Sequence, residues 1–342
     1  MIKEAISRVV ERQNLSAEEA ETVMNEIMGG KCTPAQVAAY VTALRMKGET
    51  IDEITGSARV MRAKATPIPS RHRVLVDTAG TGGDGSRTFN ISTTAALVAA
   101  GAGVPVAKHG GRGVSSGFGS ADLMAALGID IEASPEQVSA CLDEVGISFL
   151  FAPLLHGAMK YAAGPRREMG IRTVFNIMGP ITNPAGAHCQ VIGVYGGALT
   201  ETLARVLANL GSRRAFVVHG SDGLDEVTLS GPTRVSELRE GEVRTYDLMP
   251  EDFGLKRGSI EACRVTSQED NVQMTLMVLN GRTGPPRDIV LMNAAVAIYV
   301  GEGEESLLKA LLAAKNSIDS GGALRKLQAI REFSKRSVSS RE

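Results

Sequence analysis

Three short stretches of this chain carry residue types suited to holding a large anion. Gly80-Thr-Gly-Gly-Asp-Gly85 follows an apolar run, Val74-Leu75-Val76, and Lys108-His109-Gly110-Gly111-Arg112-Gly113 follows another, Val104-Pro105-Val106-Ala107. Glycine admits φ > 0 and leaves backbone N–H groups open to a ligand with no Cβ in the way. Two such loops at the ends of successive strands suggest a cradle for a pyrophosphate. Between them, Asn90-Ile91-Ser92-Thr93 stands where a helix should begin, so free N–H groups and hydroxyls also favour phosphate. Ser92 or Thr93 reads equally well as an ordinary N-cap, and one residue can do both. Ser115, Ser116 and Ser120 repeat the arrangement ahead of the next helix. Far along the chain, Asp225-Glu226 places two acids side by side after Gly220-Ser-Asp-Gly223.

The first loop satisfies G-x-G-x-x-G, but a dinucleotide fold needs the helix to begin at the third glycine and an acid at the end of the next strand. Here Ser86 and Arg87 follow before any helix starts, and the next strand ends in Lys108-His109, the opposite charge. No G-x-x-x-x-G-K-[ST] is present, which sets aside a Walker-type nucleotide site.

The elements that must position these loops follow from the pattern of the chain. Up to about residue 65 only helices are signalled. Ser16-Ala-Glu-Glu19 and Thr50-Ile-Asp-Glu53 are capping boxes, Leu15 is a staple, and Thr33-Pro34 opens a helix whose apolar face carries Val37, Tyr40, Val41 and Leu44. Thr66-Pro-Ile-Pro-Ser70 is a stiff linker. Strand and helix patterns then alternate: strands at 74–76, 104–107, 148–150, 190–195 and 215–219, helices at 92–100, 120–127, 134 onward and 201–210. That rhythm predicts a mostly parallel sheet covered by helices, with a strand-rich stretch at 227–266 closing one edge and helices at 288–300 and 305–315. The fold class is therefore α/β, with a small N-terminal helical domain (1–66), a large α/β domain (71–333) whose central sheet is flanked by helices, and a polar tail (334–342) expected to fray.

Composition narrows the function classes. Lys and Arg number 37 against 38 Asp and Glu, so the chain carries no global electrostatic footprint for nucleic acid. No uncharged apolar run reaches the length of a membrane span, and Met1-Ile-Lys-Glu4 opens without the apolar core of a signal peptide. Cys32, Cys141, Cys189 and Cys263 are far apart and form no CxxC, as expected of free thiols in a reducing cytoplasm.

Taken together, Asp77–Gly85, Thr88–Thr93 and Lys108–Ser116 resemble the anthranilate phosphoribosyltransferase family. So do Phe151–Lys160, Pro165–Pro184, Asp222–Glu226 and Arg287–Ala294, and the resemblance spans nearly the whole chain in order. It implies an overall architecture shared with nucleoside phosphorylases, and Mg²⁺-dependent transfer of 5-phosphoribosyl from phosphoribosyl pyrophosphate to the amine of anthranilate, an early step of tryptophan synthesis. It also implies two Mg²⁺ ions, a homodimer through the helical domain, and helices around 166–183 joining that domain in space. By resemblance, phosphoribosyl pyrophosphate is met by Gly80, Gly83, Asp84, Thr88, Asn90, Ile91, Ser92, Thr93, Lys108, His109, Gly110, Gly111, Arg112, Gly113, Val114, Ser115, Ser116 and Ser120. Anthranilate is met by Gly80, His109, Gly111, Met159 and Arg166. Metal is held by Ser92, Asp225 and Glu226. No general acid or base is demanded, because an aniline nitrogen is already unprotonated at neutral pH.

Two positions depart from the family pattern. Gly111 replaces an asparagine that contacts anthranilate, and Gly117 replaces a bulkier, often basic residue. Weakened anthranilate binding, or tolerance of substituted anthranilates, is the expected consequence. Two other functions were weighed. A pyrimidine nucleoside phosphorylase shares the architecture, and its glycine-arginine loop is echoed by Gly111-Arg112-Gly113, but it lacks the paired acids. A non-enzymatic nucleic-acid-binding relative conflicts with the near-zero net charge.

Overall fold

The computed structural model describes residues 1–113 and 118–339. Four helices open the chain: α1 (Ile2–Val10), α2 (Ala17–Met28), α3 (Pro34–Lys47) and α4 (Ile51–Lys64). Ser16, Thr33 and Thr50 each accept from the N3 backbone N–H while Glu19, Gln36 and Glu53 reach back to the cap, so three of these helices start on a closed capping box. Glu53 does more, because its buried carboxylate also accepts from Leu15 N–H at 3.0 Å and pairs with Lys47 at 2.9 Å.

The linker is not free chain. Ile68 is buried, and the N–H groups of Thr66 and Ile68 donate to Leu155 and Pro184 at 2.8 and 3.1 Å. Beyond it the chain alternates: β1 (Val76–Gly80), α5 (Ile91–Gly101), β2 (Val106–Gly110), α6 (Ser120–Ala126), α7 (Pro135–Val145) and β3 (Ile147–Phe151). Three helices follow, α8 (Ala152–Leu155), α9 (Lys160–Met169) and α10 (Val174–Ile181). Then come β4 (Cys189–Gly193), α11 (Leu199–Asn209), β5 (Arg214–Gly220), β6 (Thr233–Arg239), β7 (Glu242–Leu248), α12 (Gln268–Leu279), α13 (Pro285–Val300), α14 (Leu307–Asp319) and α15 (Gly322–Ser339).

The strands form one sheet in the order β3-β2-β1-β4-β5-β6-β7. The first five are parallel, while β6 and β7 add an antiparallel edge at the strand-rich stretch. Chain order runs outward from β1 on one side and from β4 on the other, so a topological switch point lies between them, with Gly80 opposite Gly193 at its carboxyl edge. Crevices outside the carboxyl ends of such strands are where α/β proteins bind ligands. One face of the sheet packs on α5, α13, α14 and α15, while the other packs α11 and, through Ile192, Val194 and Val217, joins a core shared by α1–α4, α9 and α10. The helices at 160–181 thus sit with the N-terminal ones and roof one side of the crevice.

Two expectations need correcting. The strands at 74–76 and 104–107 start later and run on through polar residues to Gly80 and Gly110. Apolarity misplaces them because Asp77, Thr78, Lys108 and His109 are buried in the strands themselves, paired inside the fold. The tail does not fray from Ser334, since α15 stays helical to Ser339. Leu327 and Ile330 are buried on its inner face, Ser334 is 8% exposed, and Arg336 pairs with Glu144 at 2.5 Å. Among the described residues, no helix is long and apolar enough to cross a membrane.

Candidate active site

At the carboxyl edge of β1 the chain turns through Gly82, Gly83 and Gly85, all at positive φ (64°, 78° and 73°), so side chains would be strained at these positions. Gly80, the last strand residue, is needed for another reason: a Cβ there would lie 2.7 Å from Asp225 Oδ2. At Gly193, its neighbour across the switch point, a Cβ would lie 1.5 Å from the Asp225 carbonyl oxygen. The loop carrying Asp225-Glu226 therefore crosses directly over the switch point, and two glycines make room for it.

Asp225 accepts from Gly82 N–H at 2.8 Å, and Glu226 accepts from Ser92 N–H at 3.1 Å. Ser92 stands in the first turn of α5, so Glu226 faces that helix's positive end. Asn90 is the N-cap but makes no side-chain cap bond, which decides against Ser92 or Thr93 as an ordinary cap. The Thr93 hydroxyl is buried with no partner among the described residues. Asp84 accepts from Ser86 N–H and Oγ at 3.2 and 2.6 Å, and its charge acts on Asp225. The Ser86 and Thr88 hydroxyls are 3.4 Å apart, and the backbone of Thr88 bridges to Arg264.

Lys108 is 2% exposed, and its ammonium donates to the Thr78 carbonyl. Burial pulls its pKa down, while Asp77, Glu226 and Asp225 pull it back up. Burial raises the pKa values of Glu226 and Asp225, and their neighbouring carboxylates raise them further. One buried lysine thus faces the buried Asp77 and the half-buried Asp225 and Glu226, a surplus of negative charge that a divalent cation would relieve. The donors are hard oxygens, as Mg²⁺ prefers. Among the described residues no group of three or more His, Cys, Asp or Glu converges as a complete metal cage. Mg²⁺ fits such an open set, because it is held by one or two carboxylates and completes its shell from water and phosphate oxygens.

The second loop leaves β2 at Gly110, where a Cβ would meet Ser120 Oγ at 2.1 Å. Ala121 N–H donates to the Gly111 carbonyl at 3.1 Å, and among the described residues no atom lies within 4 Å of the Gly111 Cβ position. Asp122 ties the loop together by accepting from Gly113 and Gly119 N–H groups (3.0 and 2.9 Å) and from Arg112 (3.1 Å). Burial would raise its pKa, but these donors outweigh it and hold the carboxyl low. Val114, Ser115 and Ser116, expected to meet phosphate, and Gly117 lie outside the described residues.

A third group lies where β2 faces α10. His109 Nδ1 is 3.1 Å from the Gly179 carbonyl, in the last turn of α10. A carbonyl only accepts, so Nδ1 carries the proton and Nε2 presents a lone pair, which is buried and has no partner among the described residues. His156 stacks beside it, centroids 5.0 Å apart, and its Nε2 is also unpartnered. Burial, reinforced at His109 by His156, pushes their pKa values down to about 3 and about 4. Both imidazoles are neutral at pH 7. Arg166, on α9, lies over the Phe175 ring at 5.4 Å, and no acidic partner is found for it among the described residues. Met159 caps α9 seven residues earlier, two turns along the same helix, and packs against the helical core. No described contact joins Met159 to Gly80 or His109.

Several residues around these groups carry no role in the sequence reading. Asn293, buried in α13, accepts from Val227 N–H at 3.0 Å and donates to the Val227 carbonyl at 2.9 Å, fixing the backbone next to Glu226. A lone amide inside Val290-Leu-Met-Asn-Ala-Ala-Val296 is the sequence signal that marks it. Arg172 reaches from the α9–α10 turn to the Gly83 carbonyl and lies over the Tyr195 ring at 4.5 Å. Gly193 and Asp122 are set by tertiary approach and leave no local signal.

Comparison with known proteins was made against this geometry. A family model described as glycosyl transferase family, a/b domain, matches residues 72–324, and one described as its helical bundle domain matches residues 3–65. An anthranilate phosphoribosyltransferase of Moorella thermoacetica is 59% identical over 96% of this chain and 97% of its own length. One of Acetivibrio thermocellus is 52% identical over 100% and 99%. Among solved structures, the anthranilate phosphoribosyltransferase of Thermus thermophilus superposes with a TM-score of 0.91 at 41% identity, covering 97% of this chain and 99% of that one. The Saccharomyces cerevisiae enzyme in complex with PRPP and Mg superposes with a TM-score of 0.89 at 29% identity, covering 98% of each. The same yeast enzyme with 4-fluoroanthranilate gives 0.87 at 29% identity, again over 98% of each.

Proposed function

This chain belongs to the anthranilate phosphoribosyltransferase family, and on that premise we propose that it transfers the 5-phosphoribosyl group of phosphoribosyl pyrophosphate to the amine of anthranilate, releasing pyrophosphate in an early step of tryptophan synthesis. The observation that carries the reading is the surplus of acid at the half-buried Asp225 and Glu226, set against the glycine loop and the amino end of α5.

Breaking the C1–O bond leaves oxocarbenium character on the ribose, as in glycoside cleavage, and gathers negative charge on the departing diphosphate. Gly83, Asp84, Thr88, Asn90, Ile91, Ser92 and Thr93 line the diphosphate and ribose, with Lys108 as a buried point cation. In this reading His109, Gly110, Gly111, Arg112, Gly113, Val114, Ser115, Ser116 and Ser120 also meet phosphoribosyl pyrophosphate. N–H groups at the start of α5 stabilise charge as it develops on the leaving group. Asp225, Glu226 and the Ser92 hydroxyl would hold Mg²⁺, which would supply positive charge to the diphosphate. The reading includes two ions, supported by the like-charge repulsion that Asp225 feels from Asp84 and Glu226 from Asp225.

Anthranilate brings a carboxylate and an aniline amine. The unpaired Arg166 guanidinium suits the carboxylate. The neutral lone pairs on His109 and His156 suit N–H donors of the amine, while a pKa near 3 makes His109 a poor proton acceptor. The pair therefore orients the acceptor and does not activate it. Gly80, Gly111 and Met159 complete the acceptor side.

The reading extends to a cytoplasmic homodimer joined through the helical domain. Met1, Val10, Met46, Leu154, Tyr161 and Ile171 are large exposed apolar side chains on or beside α1, α3, α8 and α9. The four cysteines are free, which suits a reducing compartment. Phosphorolysis of nucleosides, the other enzymatic reading, has no use for the acid pair. The test is stoichiometry: with Mg²⁺ present, pyrophosphate should appear mole for mole as anthranilate disappears. Pyrophosphate formed without anthranilate consumed would count against the proposal.

A further inference from the structure

Asn90 caps α5 at the mouth of the diphosphate cradle, and its amide faces two ways. Behind it stands Asn271, on α12, fully buried and outside every stretch that carries the family resemblance. Asn271 Oδ1 accepts the backbone N–H of Asn90 at 3.0 Å, and its Nδ2 donates to Asn90 Oδ1 at 2.7 Å. The side-chain Nδ2 of Asn90 then donates to the Phe118 carbonyl at 3.2 Å, across to the loop that follows β2.

Amide nitrogen and oxygen look alike in outline, but here the chemistry leaves one assignment. A backbone N–H only donates, so the Asn271 atom facing it is the oxygen. The other Asn271 atom is then the NH₂ group, which only donates, so the Asn90 atom facing it is also the oxygen. The remaining Asn90 atom is its NH₂ group, which gives one N–H to the Phe118 carbonyl and carries a second. We propose that Asn271 is a positioning residue: it locks Asn90 in the orientation that presents N–H donors, not a carbonyl oxygen, to phosphoribosyl pyrophosphate. The inference rests on the reading that Asn90 meets that substrate, and the experiment separates the two.

Asn271→Asp keeps the acceptor for Asn90 N–H but removes the donor. The Asn90 amide then turns over, giving its NH₂ to the new carboxylate and its oxygen to the cradle. Asn271→Ala removes both contacts and leaves the amide free to take either orientation. The expected result is a KM for phosphoribosyl pyrophosphate raised about tenfold or more in Asn271→Asp, by less in Asn271→Ala, with KM for anthranilate within about twofold of wild type in both. Substrate-induced rise in Tm should fall in the same order. A packing role alone predicts the reverse order, because alanine removes more contacts. Should the buried carboxylate of Asn271→Asp prevent folding, the selective KM change in Asn271→Ala carries the test. The proposal is overturned if KM for phosphoribosyl pyrophosphate stays within twofold of wild type in the folded variants, or if both KM values rise together. Asn90→Ala distinguishes the levels: unchanged KM for phosphoribosyl pyrophosphate there overturns the substrate contact itself, and with it the proposal.

Discussion

At the scale of single residues, the site is built from groups kept in costly states. His109 and His156 are buried neutral, and the sign of their effect on stability can be worked out. The unfolded chain takes up protons at both imidazoles below about pH 6.5, while the folded protein resists until about pH 3 and about pH 4. Their contribution is fully present above pH 6.5 and is lost as pH falls towards those values, at about 1.4 kcal/mol per pH unit for each. Asp77, whose carboxyl burial lifts to about 6, opposes this below that pH. The diagnostic is therefore a difference: His156→Gln should show a shallower loss of urea stability between pH 6.5 and 4.5 than wild type. Equal slopes would show that His156 is not held neutral. Gly111 offers a second test. Among the described residues no atom lies within 4 Å of its Cβ position, and it lies outside the positive-φ set, so its backbone accepts a side chain without strain. Gly111→Asn should lower KM for anthranilate several-fold at unchanged kcat, measured by loss of anthranilate fluorescence. An unchanged KM would remove Gly111 from the acceptor side.

At the scale of elements, the switch point between β1 and β4 explains why the acid pair sits where it does. Gly80 and Gly193 lie opposite each other at the strand ends, and Asp225 occupies the volume their missing side chains leave. Gly193→Ala must displace the Asp225 backbone. We expect a loss of about 1–3 kcal/mol in stability and a several-fold rise in the Mg²⁺ concentration for half-maximal activity. Lost stability with an unchanged Mg²⁺ requirement would separate Asp225 from the metal. This is also where legibility in the sequence divides. Capping boxes at Ser16 and Thr50 are local, and the structure has helices starting there. The glycine loops and the acid pair were legible as types and spacing. The ends of β1 and β2 were not, because buried polar residues in a strand look like loop until their partners are known. Asp122, Asn271 and Gly193 were silent, since each acts through contacts distant in sequence or set by tertiary approach.

At the scale of the whole molecule, α1–α4 with α9 and α10 form one body with the sheet face that carries β4 and β5. Arg172 links that body to the glycine loop. The helical side also carries most of the large exposed apolar side chains, with Met46 74% exposed on α3. Met46→Asp should shift sedimentation equilibrium from dimer towards monomer at micromolar concentration, and an unshifted dimer would place the interface elsewhere. The central claim is the reaction itself. Its most direct measurement is the time course of anthranilate fluorescence with phosphoribosyl pyrophosphate and Mg²⁺, and with each left out in turn. Fluorescence should fall only when all three are present, at a rate that saturates in both substrates. Unchanged fluorescence in the complete mixture would contradict the account.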